Sequence, residues 1–221
     1  MGMTTALEAP LSPDQILTLA RWLSPAFPTG AFAWSHGLEA AVRAEEVQDE
    51  GSLAAWLDAV LRWGAGRTDA ILIAAAHRVE DPKPLAELAA ALAPSRERRA
   101  ETLGQGAAFA ATIRAVHGWD LPDMAYPVAL GRAARLGGLP IRPVAGMALL
   151  SFATNLAQAA QRLLPLGQTA AQRVVLGLSP TCAEVAAEAV RLAPDDIGGC
   201  AFAVDLASMR HEAQEPRMFR S

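Results

Sequence analysis

Charge and cysteine are scarce in this sequence of 221 residues. Only 19% of the residues are Asp, Glu, Lys or Arg, whereas 52% are hydrophobic. So little charge is unusual for an isolated soluble domain and indicates either extra buried surface or a broad apolar contact with partners. The net charge of −4 at pH 7 argues against a generic nucleic-acid-binding protein. The two cysteines, Cys182 and Cys200, form no C-x-x-C pair and are interpreted as reduced thiols of a cytoplasmic protein.

Targeting and membrane-spanning signals are also missing. The first ten residues contain neither the basic stretch nor the apolar stretch of a signal peptide, and we interpret residues 1–11 as a flexible lead-in. An uncharged run lies between Arg142 and Arg162, which is about the length of a membrane span. Ser, Thr, Asn and Gln interrupt this run, so a buried amphipathic helix is the better interpretation. We therefore expect a cytoplasmic protein with no membrane partner.

Strand signals are almost absent. No segment shows sustained alternation of apolar and polar residues, and no Asn-Gly or Asp-Gly hairpin occurs. Alanine and leucine are abundant, and both favour helices. The sequence therefore predicts an all-α, single-domain bundle of about ten helices. We expect the domain over residues 12–206 and a C-terminal tail over residues 207–221.

Start and stop signals locate many of these helices. Ser12, Pro13 and Gln15 together predict a helix start with a capping box. A long helix is predicted from Ser95 to His117, with Gly118 as its C-terminal cap. Other helices are predicted from Ser52 to Trp63, over 68–79, over 84–93, after Pro143, and at two further capping boxes, 169–172 and 181–184.

Common catalytic and cofactor-binding motifs are missing from the sequence. It has no P-loop, no G-x-G-x-x-G and no G-x-S-x-G. The four histidines are scattered, and His211-Glu-Ala-Gln-Glu215 only resembles the zinc motif H-E-x-x-H. We therefore expect no catalytic residues, no metal site and no cofactor. The alternative is a helical, metal-dependent enzyme with an unrecognised site around His211.

Three stretches of the sequence, taken together, are more informative about function than the missing motifs. They are LARWLSPAFPTGAFAWSHGLEAAV at 19–42, NLAQAAQRLLPLGQTAAQRVV at 155–175, and DLASMRHEAQEPRMFRS at 205–221. In their order and spacing they resemble the UreF family of urease accessory proteins, and the resemblance extends over nearly the whole chain. Ala33-Trp34 stands where this family often has Ser-Tyr, which changes little.

The resemblance implies a non-catalytic scaffold. Proteins of this family are all-helical and often dimeric. They bind the accessory protein UreD, also called UreH, and together recruit the GTPase UreG to apo-urease for nickel insertion. The resemblance therefore implies a homodimer that couples GTP hydrolysis to assembly of the metal centre, and that lines part of a nickel route. Nickel and GTP would be handled by the complex and not held tightly by this chain.

Ser35, His36 and Glu39 are the polar members of the first stretch. His36 and Glu39 lie three residues apart and would share a face of a helix. One interpretation is a loop that packs on the helical core. The other is a surface that binds a partner or forms the mouth of a nickel path, although two ligands are too few for tight metal binding.

The other two stretches supply the remaining candidates for partner binding. The polar stripe of the second stretch is interpreted either as a solvated face or as a hydrogen-bonded helix contact. In the tail, a helix up to Glu215 and an extended end after Pro216 are expected, with the aromatic ring exposed between arginines, and either disorder or a docking arm would fit. Deleting residues 210–221 is expected to leave the fold intact and to weaken complex assembly. The candidates are Asn155, Gln158 and Arg162 in the stripe and Arg210, His211, Arg217, Phe219 and Arg220 in the tail.

Overall fold

The computed structural model describes residues 10–221, and within this range the chain forms ten α-helices, two short 3-10 helices and no strand. The predicted all-α bundle of about ten helices is therefore confirmed. Two 3-10 helices span Ala31–Ala33 and Pro194–Asp196. The α-helices are α1 Pro13–Trp22, α2 Leu38–Arg43, α3 Glu50–Trp63, α4 Ala65–Arg78, α5 Lys83–Ala91, α6 Arg96–His117, α7 Tyr126–Leu136, α8 Ile141–Leu163, α9 Gln168–Ala189 and α10 Phe202–His211.

The centre of the bundle is α4, which packs against α3, α7, α8 and α9. Every residue from Ala70 to Ala76 is at most 3% exposed. A helix that is apolar on all sides is stable only when other helices cover it. The long helices α8 and α9 pack along each other and against α4, which places the uncharged run of the sequence inside a helix with a buried stripe. Among residues 10–221, no helix is both long and apolar enough to cross a bilayer.

Two glycines allow a helix to approach a neighbouring segment at backbone distance. A Cβ atom on Gly106 of α6 would overlap the Met124 carbonyl oxygen, and one on Gly131 of α7 would overlap the Ile73 carbonyl oxygen of α4. Gly104, two residues before Gly106, has open space where its Cβ would lie. Of the two glycines in α6, only Gly106 is therefore required for packing.

Several predicted helix boundaries are confirmed. The Ser12 hydroxyl accepts from the Gln15 amide, and the Gln15 side chain accepts from the Ser12 amide, which completes the capping box. The Ser95 hydroxyl caps α6 through the Arg98 amide, and Gly118 ends α6 with a φ of +68°. These signals are local, so the sequence alone specifies them.

Other boundaries differ from the prediction. Ser52 does not cap α3; Asp49 does, and Ser52 in the first turn returns the bond to the Asp49 amide. The helix predicted at residue 68 begins at Ala65. The capping box at 169–172 predicted the start of α9, but the N-cap residue of α9 is Gly167, which makes no side-chain hydrogen bond.

The second helix start predicted near Thr181 is wrong. One continuous helix, α9, runs through Pro180. Pro180 is exposed, and packing of α9 against α3 and α8 holds the helix together despite the missing amide hydrogen bond. The Thr181 hydroxyl donates to Asp58 Oδ1 at 2.8 Å instead of capping a helix.

Two further predictions concern segment boundaries and cysteines. Residues 1–9 of the predicted lead-in lie outside the described residues. The boundary expected after residue 206 falls inside α10, so the helix and the tail form one continuous packed segment. Cys182 is buried, and burial raises the pKa of its thiol to about 11, whereas Cys200 is exposed.

Candidate functional site: a buried polar cluster beneath the C-terminal tail

Helix α10 rests directly on the backbone of Gly37. Gly37 has a φ of +79°, and a Cβ atom there would lie 2.7 Å from the Ser208 amide nitrogen. The hydroxyl of the same Ser208 shares a hydrogen bond of 2.6 Å with the Ser95 hydroxyl, which joins α10 to the start of α6. The first and third stretches of the sequence analysis therefore meet with no side chain between their backbones.

His211 lies at the end of α10 and is fully buried. Its Nδ1 atom is 2.7 Å from Glu97 Oε2, and its Nε2 atom is 3.1 Å from Glu39 Oε2. Both ring nitrogens thus contact carboxylates that come from two other helices. Arg217 donates to the other oxygen of Glu97, Oε1, at 2.6 Å. These contacts satisfy polar groups that would be costly to bury alone.

Glu39 holds the backbone of the tail. Its carboxylate accepts hydrogen bonds from the Met218 amide at 2.7 Å and the Phe219 amide at 2.8 Å. Burial alone would raise the pKa of Glu39, but these two amides and His211 outweigh burial and lower the pKa below its ordinary value. Phe219 is only 3% exposed as a result of this docking.

The last two residues pair with the segment before α2. The Arg220 amide donates to the Ala33 carbonyl at 2.9 Å, and the Ser35 amide donates to the Ser221 carbonyl at 2.7 Å. The Ser35 hydroxyl donates to the same carbonyl, and the His36 amide donates to the Ser221 hydroxyl at 3.2 Å. His36 adopts a φ of +56°, which is uncommon outside glycine and turns its amide toward the tail.

A second ionic layer lies next to this contact. Arg98 donates to Asp69 Oδ2 at 2.8 Å and lies 3.5 Å from Glu101 Oε2, and the ring of His36 lies 3.4 Å from the same Glu101 oxygen. Gln105 donates to the other Glu101 oxygen at 3.1 Å.

The two carboxyl groups of this layer respond differently to burial. Desolvation opposes ionisation of Glu101, but Arg98, His36 and Gln105 outweigh it and lower the pKa of Glu101. Asp69 has Arg98 as its hydrogen-bonding cation, and burial raises the pKa of Asp69.

The polar stripe of α8 joins the same region. Asn155 donates to the Ala31 carbonyl at 3.1 Å, and Arg162 donates to the Phe32 carbonyl at 2.8 Å. The Arg162 guanidinium also lies 4.1 Å from the centre of the Phe219 ring. The interpretation of this stripe as a hydrogen-bonded contact applies to Asn155 and Arg162. The third member, Gln158, is exposed to solvent.

The structure thus brings most of the predicted site residues together, and Ser35, His36 and Glu39 are buried as in the interpretation of a loop packed on the helical core. Arg210 lies apart from the cluster, where it pairs with Glu46. The expectation that Phe219 is exposed is wrong, because the Glu39 carboxylate holds the Met218 and Phe219 amides and the Phe219 ring packs into the core beneath Arg162. The predicted residues with accessible side chains are Gln158, Arg162, Arg210, Arg217 and Arg220, and the buried ones are Ser35, His36, Glu39, His211 and Phe219.

The sequence analysis missed the residues that complete the cluster. Glu97, Arg98 and Glu101 occupy the first two turns of α6, and Asp69 lies 29 positions earlier in α4. No local pattern distinguishes these residues from ordinary charges on the surface of a helix.

The burial of the tail also changes the expectation for a truncation. Residues 210–221 include His211 and Phe219, together with the Arg217 side chain that pairs with Glu97. Their removal would leave Glu39 and Glu97 without several of their bonds. We therefore expect the deletion to destabilise this end of the domain, and point substitutions at exposed positions are better tests of partner binding.

Comparison with known proteins agrees with this architecture. The UreF family model matches residues 47–179. The urease accessory protein UreF of Cereibacter sphaeroides strain KD131 is 55% identical over 206 residues, which cover 93% of this chain and 98% of the relative. The protein of the same name from Xanthobacter autotrophicus is 46% identical and covers the whole of this chain and 96% of its own length. The chain belongs to the UreF family.

The range matched by the UreF family model contains some residues of the tail cluster but not all of them. The matched range covers α4, α6 and α8, which supply Asp69, Glu97 and Asn155 to the site. The Ser35–Glu39 segment and the tail lie outside the matched range, and the alignments with the two relatives extend over nearly the whole chain.

Proposed function

We propose that this chain is a non-catalytic scaffold for urease maturation in the cytoplasm. In this role it bridges a UreD- or UreH-like protein and a UreG GTPase on apo-urease, and it couples GTP hydrolysis to nickel insertion. The chain acts as a homodimer, and the complex, not this chain alone, holds nickel and GTP. Membership of the UreF family carries this proposal, since the relatives are named as urease accessory proteins.

The surface around the docked tail is the partner surface in this proposal. Phe32 is 68% exposed and Met218 is 61% exposed, and Arg162 ties the segment of Phe32 to the tail. Arg220 is also exposed and stacks over the Trp34 ring at 5.6 Å. Exposed aromatic, methionine and arginine side chains on a well-ordered surface are typical of binding hot spots.

The buried cluster supports this surface from below. Glu39 fixes the backbone at Met218 and Phe219, and the Met218 side chain is exposed to solvent there. Because Glu39 docks the tail on the bundle of this chain alone, binding would require less ordering of the tail. In this proposal Ser35, His36, Glu39 and His211 therefore act indirectly, as groups that position the partner surface.

Co-purification tests the proposal. The chain would be co-expressed with the UreD-like and UreG proteins of the same organism, and complexes would be measured by size-exclusion chromatography with light scattering. Met218→Asp combined with Arg220→Glu is expected to abolish the complex with the UreD-like protein. Arg191→Glu, a charge reversal at an exposed arginine just after α9, is the matched control and is expected to leave assembly unchanged.

Two outcomes would contradict the proposal. One is the absence of any complex when all proteins are folded. The other is GTP hydrolysis by the purified chain alone at a rate comparable with that of the UreG-containing assembly. Equal loss of assembly in the Arg191→Glu control would show that charge in general, and not this surface, drives association.

A further inference from the structure

A cavity of about 300 Å³ lies between α1, α4, α6, α7 and α8. Its mouth is next to the proposed partner surface, since Phe32, Asn155 and Gln158 line it. Its inner end reaches the second ionic layer, where Asp69 and Arg98 are part of the wall. The volume falls at the lower limit of pockets that hold small organic ligands.

Asp69 presents accessible surface inside the protein. Its side chain is 24% exposed, although α4 is the central helix of the bundle. Asp69 is one of the residues that line the cavity, and burial raises the pKa of its carboxyl group. The accessible part of this side chain therefore faces the cavity that it lines. Arg98 occupies Oδ2, which leaves Oδ1 as an acceptor toward the cavity.

Two carboxyl groups share one arginine at this end of the cavity. Asp69 and Glu101 are two carboxylates, and Arg98 is the arginine within ion-pair distance of both. Arg98 is 9% exposed and Glu101 is 3% exposed, so solvent screens this group poorly. A further cation in the cavity would therefore favour the ionised form of Asp69, whose Oδ2 atom is already bonded to Arg98.

The remaining wall is apolar and aromatic. Ile73, Met147 and Leu150 line the passage, and Tyr126 and Phe152 place aromatic rings along it. An apolar passage that ends at a carboxylate fits an alkyl chain with a cationic head, and the rings add cation–π attraction. We propose that this cavity binds a monovalent organic cation, namely an alkyl guanidinium or alkyl ammonium group, with its head on Asp69.

Such a group has two possible sources. It is either the Arg or Lys side chain of the protein that docks beside Phe32, or a free small amine. The binding itself does not depend on the proposed function, because the site belongs to this chain alone. Only the first source rests on the scaffold proposal.

Binding of butylguanidinium to the purified full-length chain, measured by isothermal titration calorimetry, tests the cavity. Butylurea is the matched uncharged probe and is expected to bind at least about tenfold more weakly, because it has no charge to pair with Asp69. Asp69→Asn is expected to weaken butylguanidinium by a similar factor. Asp195→Asn, at an exposed acid outside the cavity, is the control and is expected to bind as the unmodified chain does.

A second variant tests the cavity independently, in case Asp69→Asn does not fold. Ala148→Leu keeps the pair of Asp69 with Arg98 and fills the cavity from α8, so it is expected to abolish binding of the probe. Equal binding of the two probes, or full binding in Ala148→Leu, would overturn the proposal. No measurable binding of butylguanidinium to the folded chain would overturn it as well.

Repeating the titration on the complex with the UreD-like protein separates the two sources. If the complex no longer binds butylguanidinium, a partner side chain is the occupant of the cavity. If the complex still binds butylguanidinium, the occupant is a free amine. If no complex forms but butylguanidinium still binds the isolated chain, the scaffold proposal fails and the cavity proposal stands.

Discussion

The helical core around α4 and α6 and the tail after α10 are held in place in different ways. In the core, small apolar residues are packed so closely that Gly106 contacts the backbone of another segment. In the tail, a few directional bonds converge on the carboxylate of Glu39. Core stability is therefore spread over many contacts, whereas tail docking depends on single groups. Damage to the core should unfold the bundle, and damage to the cluster should release the tail from a bundle that stays folded.

The largest effect is expected from Gly106→Ala. The added methyl group would overlap the Met124 carbonyl, so we expect a loss of about 3 kcal/mol or more in the free energy of unfolding, measured by urea denaturation. Gly104→Ala, in open space on the same helix, is expected to gain up to about 1 kcal/mol. Equal stability of the two variants would contradict the close contact.

Glu39→Gln is expected to cost about 2 kcal/mol, because three buried hydrogen bonds lose their charged acceptor. Hydrogen exchange should accelerate at the amides of residues 218 and 219 and remain slow in α4. Glu46→Gln, which removes a charge that pairs with Arg210 at the surface, is the control and should leave tail exchange unchanged. Acceleration throughout the bundle would show that the tail is part of the global fold.

The same substitution predicts a dependence on pH. The pKa of Glu39 is lowered by folding from its ordinary value of 4.5, so its contribution to stability is complete above that value. The contribution is lost as the pH falls through the lowered folded-state pKa, because the protonated carboxyl group is a weaker acceptor for the Met218 and Phe219 amides and for His211. The difference in unfolding free energy between the unmodified chain and Glu39→Gln should therefore shrink below about pH 4.5. A difference that grew on acidification would contradict this assignment.

A smaller effect is expected at Arg162. Arg162→Ala removes the hydrogen bond to the Phe32 carbonyl and the contact with the Phe219 ring, which together contribute about 1 kcal/mol. Exchange at the amides of residues 219 and 220 should increase less than in Glu39→Gln. Arg162→Lys should recover part of the loss, and a loss equal to that of Ala would show that charge near the ring contributes nothing.

The smallest effect is expected at Arg210. Its pair with Glu46 is half exposed at 2.9 Å, and such surface pairs contribute about 0.5 kcal/mol. Arg210→Ala should change stability by that amount at low salt and by less in high salt. A loss as large as that of Glu39→Gln would mean that Arg210 belongs to the cluster.

The sequence predicted the helical core better than the tail cluster for a physical reason. The caps at Ser12 and Ser95 and the stop at Gly118 depend on neighbours within a turn. Pro180 misled the prediction because tertiary packing keeps α9 intact around it. Local signals therefore predicted the fold class and most of the helices. They failed at Pro180, where packing against distant helices determines whether the helix continues.

The site was only half predictable. The resemblance identified Ser35, Glu39 and His211 as members of special stretches, but not that they bind one another. The pair of Asp69 with Arg98 joins two helices 29 positions apart, and no spacing in the sequence announces it. Direct contact between separate stretches of the chain is a property of the folded bundle, which the sequence pattern does not contain.

The contact between Gly37 and Ser208 has a mechanical consequence. Where two elements meet through side chains, a small push can be absorbed by a change of rotamer. Here backbone meets backbone, so a displacement of α10 must move residue 37 with it. His36 precedes Gly37 in the chain and contacts Glu101, so the same push reaches the inner end of the cavity. Consecutive contacts thus connect α10 to the inner end of the cavity, and the first of them has no side chain on residue 37 that could yield.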